Sequence, residues 1–146
     1  MKLMLSYGMN SNIDQMRYRC PQAISLGRYD IQDHRLVFRG VADVVPSPGD
    51  VLQTVLWEIT DECETALDLL EGYPDFYTKK YIDVVVHGKV MSAMIYHMLP
   101  EFDYVASPSN SYVRLLEEGY EIHGLDTDQI YGSEGFWASS DNMYGY

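Results

Sequence analysis

Two strand-like runs, Tyr77 to Val86 and Lys89 to Met98, flank the dipeptide His87-Gly88 and are substantially apolar on both faces. Ile82, Val84 and Val86 alternate onto one face, and Tyr81 and Val85 onto the other. A two-residue connection containing Gly predicts a tight hairpin. Strands with two apolar faces need cover on both sides. The pattern therefore predicts a curled sheet packed under helices, not a flat sheet with one wet face. A length of 146 residues suits one domain with a real core.

The remaining elements follow from periodicity and punctuation. Lys2 to Tyr7 reads as a first strand, stopped by Gly8. Asn10 to Arg19 is polar, with Met16 as its apolar anchor; it reads as a loop with one helical turn, broken by Pro21. Ala23 to Leu26 and Arg35 to Phe38 read as two short strands around a polar bend, and Ala42 to Val45 as a third. Pro46-Ser47-Pro48-Gly49-Asp50 reads as a turn, because two prolines and a glycine fix the backbone there. Val51 to Ile59 is the next strand.

Thr60 is placed to cap a helix over Asp61 to Leu70, with Asp61 and Glu62 at its positive end. Cys63, Ala66, Leu67 and Leu70 form its apolar stripe. Gly72 can take the left-handed conformation that ends such a helix, and Pro74 prevents its resumption. Ser109 starts a second helix through Glu118, closed by Gly119, and a short third runs from Asp126 through Tyr131. Residues 1–131 read as the domain. Gly132 to Tyr146 is rich in Gly, Ser, Asp and Tyr without periodicity, and reads as a loosely held or partner-contacting tail.

Composition excludes several classes of function. A net charge of -12 disfavours nucleic acid as a partner, since phosphate binding needs clustered Lys and Arg. Its plainest meaning is solubility; an acidic surface that engages a basic partner is the sharper one. Cys20 and Cys63 are too few for a disulfide framework or a zinc site. No pair among His34, His87, His97 and His123 has metal-ligand spacing. Met1-Lys2-Leu3-Met4-Leu5 is too short for a signal peptide, and no later apolar run is long enough to span a membrane. A cytoplasmic protein needing no metal and no cofactor is the expectation, with no nucleic acid and no membrane among its partners.

Two distant segments carry candidate chemistry. Tyr7-Gly8-Met9-Asn10 follows the first strand. A Gly at that point lets successive amides point into one concavity, which suits carboxylates and oxyanions. Asn10 adds a side-chain donor or braces its own backbone. An ordinary strand-ending turn is the commoner meaning of such a motif taken alone. The second segment is Leu67-Asp68-Leu69-Leu70-Glu71-Gly72-Tyr73-Pro74. Glu71 lies at the negative end of its helix, among apolar and aromatic residues. Both features raise a carboxyl pKa toward the range where it takes and returns a proton. Asp68, one turn earlier, reads as a solvated neighbour or a local brace. Tyr77 and Tyr112 are candidate hydroxyl partners for a polar substrate, although packing is the usual role of tyrosine. Cys63 reads as core. Cys20, beside Arg19 and Pro21, is a weaker candidate for an exposed thiol nucleophile.

The ordered set of motifs resembles the gamma-glutamylcyclotransferase-like superfamily. It begins with Tyr7-Gly8-Met9-Asn10, Met16 and Arg19-Cys20-Pro21-Gln22-Ala23. His34-Arg35-Leu36, Pro46-Ser47-Pro48-Gly49-Asp50-Val51 and Val55-Leu56-Trp57-Glu58-Ile59 follow. It ends with Leu67-Asp68, Glu71-Gly72-Tyr73-Pro74, Tyr77 and Pro108-Ser109 with Tyr112, Gly119 and Gly124-Leu125 behind. The resemblance implies an α+β fold, a small mixed β-barrel-like sheet with flanking helices. It also implies attack of a substrate's α-amine on its own γ-glutamyl carbonyl, releasing 5-oxoproline and a free amine. Glu71 would be catalytic, and Tyr7, Gly8, Met9 and Asn10 would hold the glutamyl moiety. Met9 departs from the Ser that the family commonly carries, so a non-catalytic binding protein for a small anionic metabolite is the alternative.

Overall fold

The computed structural model describes residues 1–138. Five strands, β1 (Lys2–Ser6), β2 (Ile24–Phe38), β3 (Ala42–Ile59), β4 (Tyr77–Val86) and β5 (Lys89–Met98), form one mixed sheet in the order β2-β3-β1-β5-β4. β1 sits at the centre, antiparallel to β3 and parallel to β5. Its Leu3, Met4 and Leu5 are all buried, as a strand covered on both faces requires. The sheet curls without closing. Across the seam between its outer strands, the Val85 amide donates to Tyr29 Oη at 2.9 Å, and Lys80 Nζ lies 2.9 Å from His34 Nε2. The small mixed, barrel-like sheet expected from the sequence is therefore observed, and it is open.

Helices α1 (Ile13–Arg19), α2 (Asp61–Leu70), α3 (Asn110–His123) and α4 (Asp128–Tyr131) flank the sheet. α2 has its expected boundaries: the Thr60 side chain accepts from the Cys63 amide at 3.1 Å, and Gly72 has φ of 65° just beyond the last turn. Its stripe is narrower than predicted. Cys63 and Leu67 are buried, whereas Leu70 is 57% exposed at the rim of a cavity.

Three expectations are corrected. The stretch from Asn10 to Arg19 is more helical than a loop with one turn. A 3-10 turn over Met9–Ser11 leads into α1, because the Asn12 side chain accepts from the Gln15 amide and caps it. The paired short strands are two long ones. Pro46 to Asp50 makes no chain reversal; it is a bulge inside β3, where Gln32 pairs with Val51 and His34 already pairs with Pro46. Two prolines fit there because a bulge leaves ladder donors unused. Gly119 does not end α3, which runs on to Gly124 in the left-handed conformation.

Gly119 has a different purpose. A β-carbon there would lie 2.6 Å from the backbone carbon and oxygen of Ser11 and 2.7 Å from the Asn12 amide nitrogen. α3 thus presses directly on the main chain of the 3-10 turn. Asn12 Nδ2 donates to Leu115 O at 2.8 Å, and Tyr120 Oη donates to Tyr7 O at 2.7 Å, from the same helix. Gly119→Ala is expected to cost about 1–3 kcal/mol through this overpacking. Urea denaturation monitored by circular dichroism would measure it, and an unchanged midpoint would show that the helix can retreat freely.

Of the residues assigned to a tail, 132–138 are described. Glu134 O accepts from the Phe38 amide at 2.8 Å, and the Phe136 ring meets Phe38 edge-on at 5.7 Å. The remaining residues, 139–146, lie outside the described part.

Candidate active site

One cavity of about 100 Å³ opens between the end of β1, the 3-10 turn, α1 and the end of α2. Its walls include Glu71, Tyr7, Gly8, Met9, Asn10, Tyr77 and Tyr112, so the structure brings together the carboxyl, the turn after β1 and the two tyrosines proposed from sequence. Among the further lining residues, Arg19, Leu70 and Tyr96 had no predicted place in a site. Arg19 stood only inside a motif, since a cation near the end of an exposed helix gives no signal of facing a pocket. Tyr96 was one of thirteen tyrosines and carried no distinguishing neighbour.

Chain topology creates the site. β1 delivers Tyr7 and Gly8 at its C-terminal end, and the 3-10 turn follows at once. Ser11 is the first residue whose amide bonds back within the turn, to Gly8 O at 2.9 Å. Met9 and Asn10 precede it, in the positions that a helical start leaves without intrahelical carbonyl partners. Gly8 suits a close approach: a β-carbon would lie 3.1 Å from Ala42 Cβ and 3.3 Å from Tyr112 Oη, so either neighbour would have to give way by a few tenths of an ångström.

The tyrosines build walls more than they offer protons. Tyr7 Oη donates to Tyr96 O at 2.6 Å and Tyr77 Oη to Ala42 O at 2.5 Å, while Tyr112 Oη accepts from the Ala42 amide at 3.1 Å. The proton of Tyr77 is thus committed to the backbone, which leaves its hydroxyl oxygen as an acceptor on the cavity wall. Burial pushes the Tyr7 and Tyr77 hydroxyls well above their ordinary pKa, so both stay neutral. Tyr96 Oη donates to Asp68 Oδ1 at 2.6 Å, and Lys79 Nζ bonds the same carboxylate. Asp68 is a brace between α2 and the sheet, held outside the cavity wall.

Glu71 caps α2 at its C-terminal end, where it is partly buried and lines the cavity. Desolvation pushes its carboxyl above the usual carboxylate range, while the charge of Arg19 and a hydrogen bond from Asn10 hold it down. That bond runs from Asn10 Nδ2 to Glu71 Oε1 at 3.0 Å. Arg19 Nη1 in turn donates to Asn10 Oδ1 at 2.8 Å.

Cys20 is not an exposed thiol. It is buried and forms a disulfide with Cys63, their Cα atoms 5.1 Å apart. The bond joins the end of α1, next to Arg19, to α2, and it removes Cys20 as a nucleophile. Among the described residues no group of three His, Cys, Asp or Glu side chains is arranged to hold a metal ion, and no helix is long and apolar enough to cross a membrane.

A small mixed sheet with flanking helices, and a cavity that joins one carboxyl to the turn after β1, define an α+β class of protein, and comparison with known sequences and structures makes it specific. The family described as gamma-glutamyl cyclotransferase, AIG2-like, matches residues 4–120, and the chain belongs to that family. No curated protein matches it. A solved structure titled gamma-glutamyl cyclotransferase is 25% identical with a TM-score of 0.75, covering 87% of this chain and 82% of its own. An uncharacterized protein from Homo sapiens is similar at 25% identity and a TM-score of 0.73, with the same coverage. YkqA from Bacillus subtilis, at 20% identity and a TM-score of 0.70, covers 87% of this chain and 50% of its own, and shares the fold.

Proposed function

We propose that this protein is a gamma-glutamyl cyclotransferase. The substrate's α-amine attacks its own γ-carbonyl carbon, a C–N bond closes the five-membered ring, and the original amide C–N bond breaks. The products are 5-oxoproline and a free amine or amino acid. The α-amine arrives as an ammonium and is not nucleophilic until it loses a proton. Glu71 takes that proton and returns it to the departing amine. The first-turn amides of Met9 and Asn10 meet the oxygen on which negative charge develops. Holding the glutamyl chain folded in a small pocket makes the reaction intramolecular and supplies much of the acceleration. The reaction as written needs no cofactor.

The observation that carries this reading is a single partly buried carboxyl, its pKa raised by burial, across a cavity from the Tyr7-Gly8-Met9-Asn10 turn and bonded to its Asn10. Membership of the family supports it. The test is incubation with a panel of γ-glutamyl amino acids, γ-glutamyl amines and ε-(γ-glutamyl)lysine, with 5-oxoproline measured by mass spectrometry. Release from at least one member is expected; release from none, by folded protein, would remove the reading. Met9 on the cavity wall, where the family commonly has Ser, favours a second reading as a binder of a small anionic metabolite. Saturable binding of 5-oxoproline by calorimetry, without turnover of any panel member, would establish that instead. A cytoplasmic setting belongs to the first reading and requires the disulfide to survive a reducing environment, which the burial of both cysteines favours.

A further inference from the structure

Resting on the assignment of Glu71 as the proton shuttle, we propose that Arg19 is a positioning residue that fixes the Asn10 carboxamide and, through it, the placement and charge of Glu71. Asn10 stands between a cation and an acid. Its Oδ1 accepts from Arg19 Nη1 at 2.8 Å, and its Nδ2 donates to Glu71 Oε1 at 3.0 Å. Among the described residues no carboxylate lies within ion-pair distance of Arg19, so its effect on Glu71 passes through Asn10 and through space.

The chemistry of the three groups leaves one consistent arrangement. A guanidinium has only donors, so it dictates which end of the Asn10 carboxamide it meets. The other end must then present N–H toward the carboxylate. Without Arg19, the carboxamide is free to turn over and set its oxygen against the Glu71 oxygens, which repels the ionised form. Arg19 therefore selects the orientation in which Asn10 supports a charged Glu71.

The position of Arg19 is itself fixed. It is the last residue of α1, and Cys20 next to it is bonded covalently to Cys63 on α2, the helix that Glu71 caps. The helix ends that carry the cation and the acid are thus linked covalently, through the disulfide and the last two turns of α2, and not only through packing.

The other groups near Glu71 do not substitute for Arg19. Tyr7 from β1, Tyr77 from β4, Tyr96 from β5 and Tyr112 from α3 line the cavity. Burial pushes Tyr7, Tyr77 and Tyr96 above their ordinary pKa values, so these three carry no charge at working pH. Asp43 on β3 adds to the negative potential at Tyr7 and is paired with Arg39 at 2.9 Å. On α2 itself, Glu64 and Asp68 are engaged by Lys79, and Glu64 also by Lys2. None of the four histidines lines the cavity.

The experiment is a titration of the Glu71 side-chain carboxyl by carbon-13 NMR in the wild type, Arg19→Met and Arg19→Lys proteins, with Glu71→Gln to assign the resonance. The midpoint is expected to rise by about one pH unit in Arg19→Met and to return most of the way in Arg19→Lys, as loss and restoration of a neighbouring cation require. An unmoved midpoint in Arg19→Met would overturn the proposal. Should Arg19→Met not fold, Arg19→Gln is titrated in its place, and an unmoved midpoint there would overturn the proposal equally. For a substrate identified in the panel, the acidic limb of kcat/KM should shift with the NMR midpoint, kcat should fall about tenfold, and KM should stay within about twofold. A large rise in KM with an unmoved acidic limb would make Arg19 a direct ligand of the substrate and defeat the positioning role. The NMR arm needs no turnover, so absence of cyclotransferase activity would sink the proposed function and leave this inference to be decided by the titration.

Discussion

Glu71→Gln is expected to fold and to lose turnover by about 10² to 10⁴-fold, the range by which positioned acid–base groups accelerate reactions. Gln keeps the shape of Glu and an oxygen that can accept from Asn10 Nδ2, so the hydrogen bond at 3.0 Å has a partner of the same kind. What disappears is the ability to take a proton from the substrate ammonium. Unchanged kcat would remove Glu71 from the mechanism. The same substitution has a second, opposite signature. Burial raises the Glu71 pKa in the folded protein above its unfolded value. A group shifted this way contributes stability that is present below the unfolded carboxyl pKa and lost as pH rises through the folded one. The neutral variant does not undergo that loss. Its melting temperature relative to wild type should therefore increase between pH 4 and pH 7, read by differential scanning calorimetry. A difference that instead falls between pH 4 and pH 7 would mean that the folded protein favours the charged form.

Much of the fold was legible because local chemistry and tertiary demand agreed. Thr60 caps α2, Gly72 ends it, and His87-Gly88 turns the β4–β5 hairpin, with φ of 51° and 77° at those two residues. The errors share a physical origin. Gly119 and the Pro46 to Asp50 stretch carry strong local punctuation signals, and in both places a long-range contact decides the outcome. Gly119 is small because Ser11 lies against it. The prolines are tolerated because the β2–β3 ladder is interrupted opposite Asp33, whose side chain accepts from the Gly49 amide at 2.9 Å. In the site, Glu71 and the Tyr7 turn were visible because an acid at a helix C-terminus and a Gly after a strand are locally unusual. Arg19 was not, since an arginine in the last turn of a helix is where the helix dipole would favour one anyway. The pairing of Cys20 with Cys63 depends on packing α1 against α2, which no local pattern encodes.

Removing the Cys20–Cys63 bond is expected to have the largest effect on stability. The bridge spans a sequence separation of 43. Chain-entropy arguments put the closure of such a loop at about 4 kcal/mol, a large part of the stability of about 5–15 kcal/mol typical of a domain. A Cys20→Ala, Cys63→Ala double variant should therefore show a clear drop in its urea midpoint. The two residues are 2% and 1% exposed, so a reductant must wait for an opening event before a thiolate can reach either sulfur. Native protein held in dithiothreitol should accordingly remain oxidised far longer than protein unfolded in urea, as judged by alkylation and mass spectrometry. Because the bridge joins the end of α1 to the helix capped by Glu71, its loss should also depress activity at temperatures well below the new melting point, where Arg19 and Asn10 lose register before the sheet does. Full activity up to the melting point in the double variant would show that packing alone holds α1 against α2.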